Sequence, residues 1–383
     1  MDLPATEEQR RFRLDVRAWL TDAVPRHLPQ ALDERFQALR TWQRTLYDAG
    51  WIGWGWPSEY GGRGGSVVEQ LVVYQELARA RAPMPAGLVA LEVVGPTIAH
   101  YATPDQGRRF VPPLLRGDEI WSQGFSEPDS GSDLASLSTR AVEDGESFVI
   151  TGQKVWTSWA QYSQWCAVLA RTDPEAKRHD GISYLLVDLS SPGVEVRPLV
   201  QLTGDAEFSE IFFDSVRVPR SNLLGALNEG WKVAMATLSF ERAPALLRRL
   251  TEIRVAFEEL TREMCDALSP EDLDLIAERV GRCRVLIEAM EARGYRIVDR
   301  IRRGERGPED SVDKLFLTRT EQAVFALALD VLPDRTAFAP DDALTGRRWL
   351  HDYLFSRAAS IYGGTSEIQR NIVAGRLLGL GRD

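Results

Sequence analysis

The spacing of hydrophobic positions along the chain changes character twice. Up to about residue 117 it is helical. Thr6-Glu7-Glu8-Gln9 sets a hydroxyl three positions before a glutamine, the spacing of a capping box, and Phe12, Val16 and Trp19-Leu20 follow on one face. Further helices are predicted near residues 36–49, 67–79 and 104–115, separated by glycine- and proline-rich connections. One connection, Trp54-Gly55-Trp56-Pro57 through Tyr60-Gly61-Gly62-Arg63-Gly64-Gly65, lacks the Lys-Ser/Thr of a phosphate loop and reads as a packed structural loop.

From about residue 120 to 218 the pattern is that of short strands. Ser147-Phe148-Val149-Ile150-Thr151 follows an Asp144-Gly145 turn, and Ile182-Ser183-Tyr184-Leu185-Leu186-Val187 reads as a strand buried on both faces. Ile211-Phe212-Phe213 and Val216-Arg217-Val218-Pro219 read as two more. Such short strands between turns suggest a small β-barrel or sandwich. Long helices return from about residue 229. Ile253, Phe257, Leu260, Met264 and Leu268 share a face, and Ser269-Pro270 restarts a helix with a serine cap and a first-turn proline. Helices are also expected over 310–329, 341–360 and 365–377. The predicted class is α+β, divided into an N-terminal α-helical domain over 1–119, a middle β-domain over 120–222 and a C-terminal helical bundle over 223–383.

Composition narrows the function. Forty-four per cent hydrophobic and 27% charged residues suit a globular chain with a core. Against 56 acidic residues the 46 basic ones leave a net charge of −10, so no basic excess exists to displace counterions from nucleic acid. Cys166, Cys265 and Cys283 form no CxxC pair, which points to a reducing compartment, and the four histidines make no metal-ligand spacing. The longest uncharged run, 155–170, is too short and polar for a membrane span, and Met1-Asp2-Leu3-Pro4 opens no signal peptide. The expectation is a cytoplasmic protein with no metal, no membrane span and no nucleic-acid partner.

Four segments could carry chemistry. Gln123-Gly124-Phe125-Ser126-Glu127-Pro128-Asp129-Ser130-Gly131-Ser132-Asp133 runs from a strand into hydroxyls and a glycine turn, an edge able to hold a polar heterocycle or simply a polar turn. Ser132 has no GxSxG context, which argues against a hydrolase nucleophile. Gly152-Gln153-Lys154-Val155-Trp156-Thr157-Ser158-Trp159 offers an indole beside two hydroxyls, suited to covering a flat cofactor or to a core. Glu241, in Ser239-Phe240-Glu241-Arg242, shares its helical face with Ala234, Thr237, Leu238 and Ala245. There it is either a desolvated base or one half of a salt bridge. Tyr362-Gly363-Gly364-Thr365-Ser366-Glu367-Ile368-Gln369-Arg370 pairs two glycines with a helix start, where Thr365 can serve as a plain N-cap.

In order and spacing, these segments resemble the acyl-CoA dehydrogenase family over essentially the whole chain. The matches are Phe125-Ser126-Glu127-Pro128 with Gly131-Ser132-Asp133, Gly152-Gln153-Lys154-Val155-Trp156, Glu241-Arg242 and Tyr362 through Arg370. The resemblance implies a helical domain, a β-domain and a four-helix bundle, with FAD between the last two. It implies α,β-desaturation of an acyl-CoA thioester, a homo-oligomer (dimer or tetramer) or a hetero-oligomer with a paralogue, and electron-transferring flavoprotein as acceptor. By resemblance, Phe125, Ser126, Gly131, Ser132, Trp156, Ser158, Thr365 and Glu367 touch FAD. Ser132, Arg242 and the backbone N–H of Gly363 meet the substrate. Many members carry the catalytic glutamate directly after the tyrosine of the last motif, where this chain has Gly363; isovaleryl- and long-chain-type members place it before an arginine on a bundle helix, which Glu241-Arg242 matches. The Arg-x-x-Phe-Gly segment that binds FAD across the subunit interface is missing from its usual place, and Arg254-Val255-Ala256-Phe257-Glu258 only imitates it. Three rival readings are a partner subunit without its own chemistry, a dehydrogenase of acyl groups on a carrier protein, and an oxidase.

Overall fold

A computed structural model describes residues 6–303, 305, 307–332 and 348–381; for Glu241, Arg242, Ala243 and Pro244 it describes the backbone alone. The chain divides into two compact units, Pro25–Gln70 with Met84–Glu241, and Met1–Val24 with Leu71–Pro83 and Arg242–Asp383.

The helical unit begins with α1 (Glu7–Ala23), whose Thr6 and Gln9 form the expected capping box. Arg13 and Arg17 of α1 reach across to Glu76 on α3 (Val67–Arg79), where Arg79 joins them. Burial would raise the Glu76 carboxyl, but three guanidinium groups hold it below the ordinary range. A four-helix bundle follows. Its long members are α6 (Gly230–Ala267), α7 (Pro270–Arg302), capped by Ser269, and α8 (Glu309–Val331), and the shorter α9 (Arg348–Ser356) completes it. Ile253, Phe257, Leu260 and Met264 of α6 are buried as their spacing predicts. Ion pairs Arg254–Glu291 and Arg249–Glu321 tie α6 to α7 and α8, and the Trp349 indole of α9 donates to Glu263 of α6. Of the helix expected over 341–360, residues 341–347 lie outside the described residues. The last helix, α10 (Ser366–Ile372), ends in a π-turn over Val373–Leu377.

The other unit carries α2 (Leu32–Asp48), the glycine-rich loop and α5 (Pro104–Arg116), with the short α4 (Gly95–Tyr101) between. The loop is a packed one. Gly55 N–H donates to the Gly64 carbonyl at 2.7 Å, and a Cβ on Gly62 would stand 2.5 Å from the Trp56 carbonyl oxygen. Behind it lies one mixed sheet of eight strands: β1 (Trp121–Gly124), β2 (Arg140–Asp144), β3 (Ser147–Ser158), β4 (Trp165–Arg171), β5 (Ile182–Asp188), β6 (Val194–Leu199), β7 (Phe208–Pro219) and β8 (Leu223–Leu224). The order is β6-β7-β3-β2-β4-β5-β8, with β1 parallel to β4. Phe148, Ile150, Val168, Leu185, Val187, Ile211, Phe213 and Val216 form a single apolar cluster. Strands from across the order share it, so the sheet curls around one core, as the barrel-or-sandwich expectation requires. The two strands expected at 211–213 and 216–219 are one strand. Asp214-Ser215 is a bulge within it, with Ser215 at φ 55°.

An ion pair fixes the edge of this sheet. Lys154 of β3 is fully buried. Its ammonium donates to Glu127 Oε1 at 2.7 Å and to the Phe125 carbonyl at 3.1 Å. Glu127 also accepts from the Ser138 N–H (2.6 Å) and Oγ (2.7 Å) and from the Thr139 N–H (2.9 Å). Burial would raise the Glu127 carboxyl, yet attraction to Lys154 and these donors bring it down to about 2. Burial pushes the Lys154 ammonium below its ordinary range, and Glu127 opposes that shift. Removing one partner strands a charge in the interior, which typically costs about 3–5 kcal/mol.

We therefore expect Glu127→Gln to lower the unfolding free energy by about 3–5 kcal/mol at pH 7. A carboxyl that is more acidic when folded binds fewer protons in that state. Its stabilisation is present above the unfolded value of about 4.3 and fades as pH falls toward about 2. The gap between the unmodified protein and Glu127→Gln should close over that window in thermal unfolding. A gap under about 1 kcal/mol at pH 7 contradicts this account.

Candidate functional site

The first group of candidate residues gathers where β1 leaves the sheet. Phe125 is buried, edge-on to Tyr184 with centroids 5.7 Å apart. The next residue, Ser126, is half-buried, and its carbonyl accepts from the Val155 N–H at 2.9 Å. Two backbone bonds thus pin 125–126 to 154–155, one from the Lys154 side chain and one from the Val155 main chain. Immediately beyond, β3 slips register against β7 between Lys154 and Thr157. Such a bulge re-aims side chains. Lys154 and Val155 are both buried, while Trp156, at φ 58°, is 62% exposed. Thr157 turns back inside, and Ser158 is half-buried beside Phe208.

This arrangement brings Phe125, Ser126, Trp156 and Ser158 to one edge of one unit. Gly131 and Ser132 follow on the exposed loop after the tight Glu127–Ser130 turn. Nothing lies within 4 Å of where a Cβ on Gly131 would be, so the chain's own packing does not demand glycine there. The Ser126, Ser132 and Ser158 hydroxyls make no hydrogen bond to any described residue. An open indole face flanked by uncommitted hydroxyls matches what a flat ring with polar edge atoms needs, and the edge therefore fits a flavin. Sequence reasoning gave no role to Glu127 and Lys154, although both stand in quoted motifs. The available signal was Lys154 at an inward position two residues beyond Gly152, in step with Phe148 and Ile150.

The second group lies in the helical unit. Gly363 and Gly364 take left-handed φ values of 60° and 89°, which turns the chain sharply between Tyr362 and α10. Thr365 caps α10, its hydroxyl accepting from the Ile368 N–H at 3.2 Å. Glu367 is exposed in the first turn and pairs with Arg370 at 3.1 Å. Hydrogen bonding to its own main chain, with Thr365 and Arg370 adding to it, holds its carboxyl below the usual range. Arg254 is committed within the bundle. It pairs with Glu258 and Glu291, and Phe257 beside it is buried. It therefore does not stand free as the arginine of the missing interface motif would.

Glu241 and Arg242 lie on α6, and their side chains fall outside the described residues. One and two turns earlier on the face Glu241 shares, Thr237 and Ala234 are fully buried. The Thr237 hydroxyl accepts from the Thr97 hydroxyl at 3.0 Å and donates to the Val233 carbonyl. Among the described residues no cluster of three or more His, Cys, Asp or Glu side chains could hold a metal ion. No helix among them is long and apolar enough to cross a membrane.

Three family models match the chain. They are those of the N-terminal domain of acyl-CoA dehydrogenase over residues 6–118, its middle domain over 122–216 and its C-terminal domain over 228–378. The acyl-CoA dehydrogenase IpdE1 of Mycobacterium tuberculosis is 42% identical over 380 residues, covering 97% of this chain and 98% of that protein. Among solved structures, the steroid ACAD Tcur3481-Tcur3483 is 30% identical with a TM-score of 0.88, covering 100% of both chains. The ChsE4-ChsE5 complex of Mycobacterium tuberculosis gives 29% and 0.87, also covering 100% of both. The protein belongs to the acyl-CoA dehydrogenase family, and with it comes the family's FAD-dependent oxidoreductase chemistry.

Proposed function

We propose that this chain desaturates an acyl-CoA thioester between Cα and Cβ with Glu241 as the base. One observation carries the assignment. The position after Tyr362 is a glycine in a left-handed turn, so no carboxylate stands there, whereas Glu241-Arg242 follows a buried helical face at Ala234 and Thr237. Excluding water from a carboxylate favours its protonated form, which strengthens it as a general base. The Gly363 N–H polarises the thioester carbonyl, a task that needs main chain only and that glycine therefore fills. Arg242 and Ser132 contact the substrate.

In this reading the FAD contacts are Phe125, Ser126, Gly131, Ser132, Trp156, Ser158, Thr365 and Glu367, each assigned by its match to the family's motifs. When bound, FAD supplies the acceptor for the β-hydrogen and its electron pair. Trp156 shields the ring from water, and the serine hydroxyls satisfy its polar edge. Electron-transferring flavoprotein is the proposed acceptor, and domains over 1–119, 120–222 and 223–383 the proposed organisation, in a cytoplasmic enzyme.

A second reading is favoured by the likeness to the ChsE4-ChsE5 complex and to Tcur3481-Tcur3483, each bearing two protein names. Here the chain assembles with a paralogue, and the acyl group carries a steroid remnant, in line with the name of the steroid ACAD Tcur3481-Tcur3483. Co-expression with candidate paralogues should then yield a mixed oligomer holding more FAD than the chain alone. Full flavin loading of the chain by itself, with no mixed species on size-exclusion, supports the homo-oligomer.

For the base, Glu241→Gln keeps size and hydrogen bonding. Anaerobic stopped-flow flavin reduction should slow by about 10²–10⁴-fold while substrate binding persists. Reduction within a few-fold of the unmodified rate places the base on another residue.

A further inference from the structure

The turn over Tyr362-Gly363-Gly364 is held from within by two side chains. Lys314 of α8 is 8% exposed, and its ammonium donates to the carbonyls of both Tyr362 and Gly364 at 2.5 Å. Gln369 of α10 is fully buried, and its Nε2 donates to the carbonyl of Gly363 at 2.8 Å. All three successive carbonyls are thereby committed to side-chain donors. The left-handed φ values at 363 and 364 permit this, and at Gly364 the space is closed as well, since a Cβ would come 2.7 Å from Gln369 Nε2. Among the described residues, the Gly363 N–H donates no hydrogen bond to the backbone. A turn whose carbonyls are occupied and whose Gly363 amide is uncommitted offers a donor of the kind that receives an anionic oxygen. The Lys314 helix turn is itself anchored, because neighbouring Asp313 is fully buried between Arg293 and Arg300.

We infer that Lys314 is a positioning residue for the reaction. By gripping the Tyr362 and Gly364 carbonyls it holds the Gly363 N–H ready for the thioester oxygen, and its buried charge favours the enolate-like species formed as the α-proton leaves. This rests on the reading of Gly363 given above. The atoms balance simply: the α-carbon gives its proton to Glu241, and the electron pair moves onto the carbonyl oxygen that the turn receives.

Acetyl-CoA tests the idea without knowledge of the acyl pocket. It has α-hydrogens but no β-carbon, so its methyl hydrogens can exchange with D2O while no hydride can leave. In the FAD-loaded protein, exchange followed by NMR at saturating acetyl-CoA should slow about tenfold or more in Lys314→Met, against the 10²–10³ typical when an oxyanion donor is removed outright. The half-saturating concentration should stay within about threefold, the range expected when ground-state binding is spared. The infrared C=O stretch of bound [1-13C]acetyl-CoA should move back toward that of the free thioester, which a purely structural role would not cause. Lys314→Gln, neutral but still able to donate, serves the same comparison if Lys314→Met does not fold. Exchange within twofold of the unmodified protein, or slower exchange with the stretch unmoved, overturns the role of Lys314. Should the unmodified protein exchange no faster than Glu241→Gln, the Glu241 and Gly363 reading itself fails, and this inference falls with it.

Discussion

A lysine with no access to water is the constraint on which the sheet edge depends. Lys154 cannot remain charged inside the protein without Glu127, and Glu127 cannot remain charged without Lys154, Ser138 and Thr139. Satisfying the pair draws residues 125–127 against β3. That closure leaves β3 one residue out of register, and the slip presents Trp156 to solvent while its neighbours stay inside. The open indole stands two residues beyond the buried charge, at the register slip. Burial of this kind is poor evidence for stability as such, because an apolar pair of similar volume could do as well. Its value lies in fixing one register.

The helical unit solves a related problem with carbonyls. A chain reversing between two helices leaves several backbone acceptors without partners. Here Lys314 and Gln369 take them, and two glycines accommodate the left-handed backbone of the turn. In the proposed reading the donor at Gly363 is main chain, so that role needs no side chain after Tyr362. An acid on a separate helix, Glu241, is then free to take the proton-abstracting role proposed for it.

Local chemistry was the legible part of the sequence. The boxes and caps at Thr6 and Ser269, and the burial of Ile253, Phe257, Leu260 and Met264, follow from spacing alone. What spacing could not give was anything settled by partners far along the chain. Asp214-Ser215 looked like a break between strands because a polar pair reads as a turn, and only pairing with β3 makes it a bulge. Arg254 imitated an interface motif until Glu258 and Glu291 claimed it. The roles of Lys154 and Lys314 depend on carbonyls 29 and 48–50 residues away, and no motif spans such distances. The candidate flavin residues were found through resemblance, and their setting through the bulge.

The Lys154–Glu127 pair shapes the edge proposed to receive the flavin. The direct measurement is the FAD dissociation constant of the double variant Glu127→Gln with Lys154→Met, in whichever assembly retains the cofactor. Neutralising both partners together avoids an isolated buried charge, so the sheet should still fold by circular dichroism. With the Phe125 carbonyl released, FAD should bind at least about tenfold more weakly, a loss of about 1.4 kcal/mol. An unchanged dissociation constant in the folded double variant would show that the edge forms without the pair, and would contradict the account.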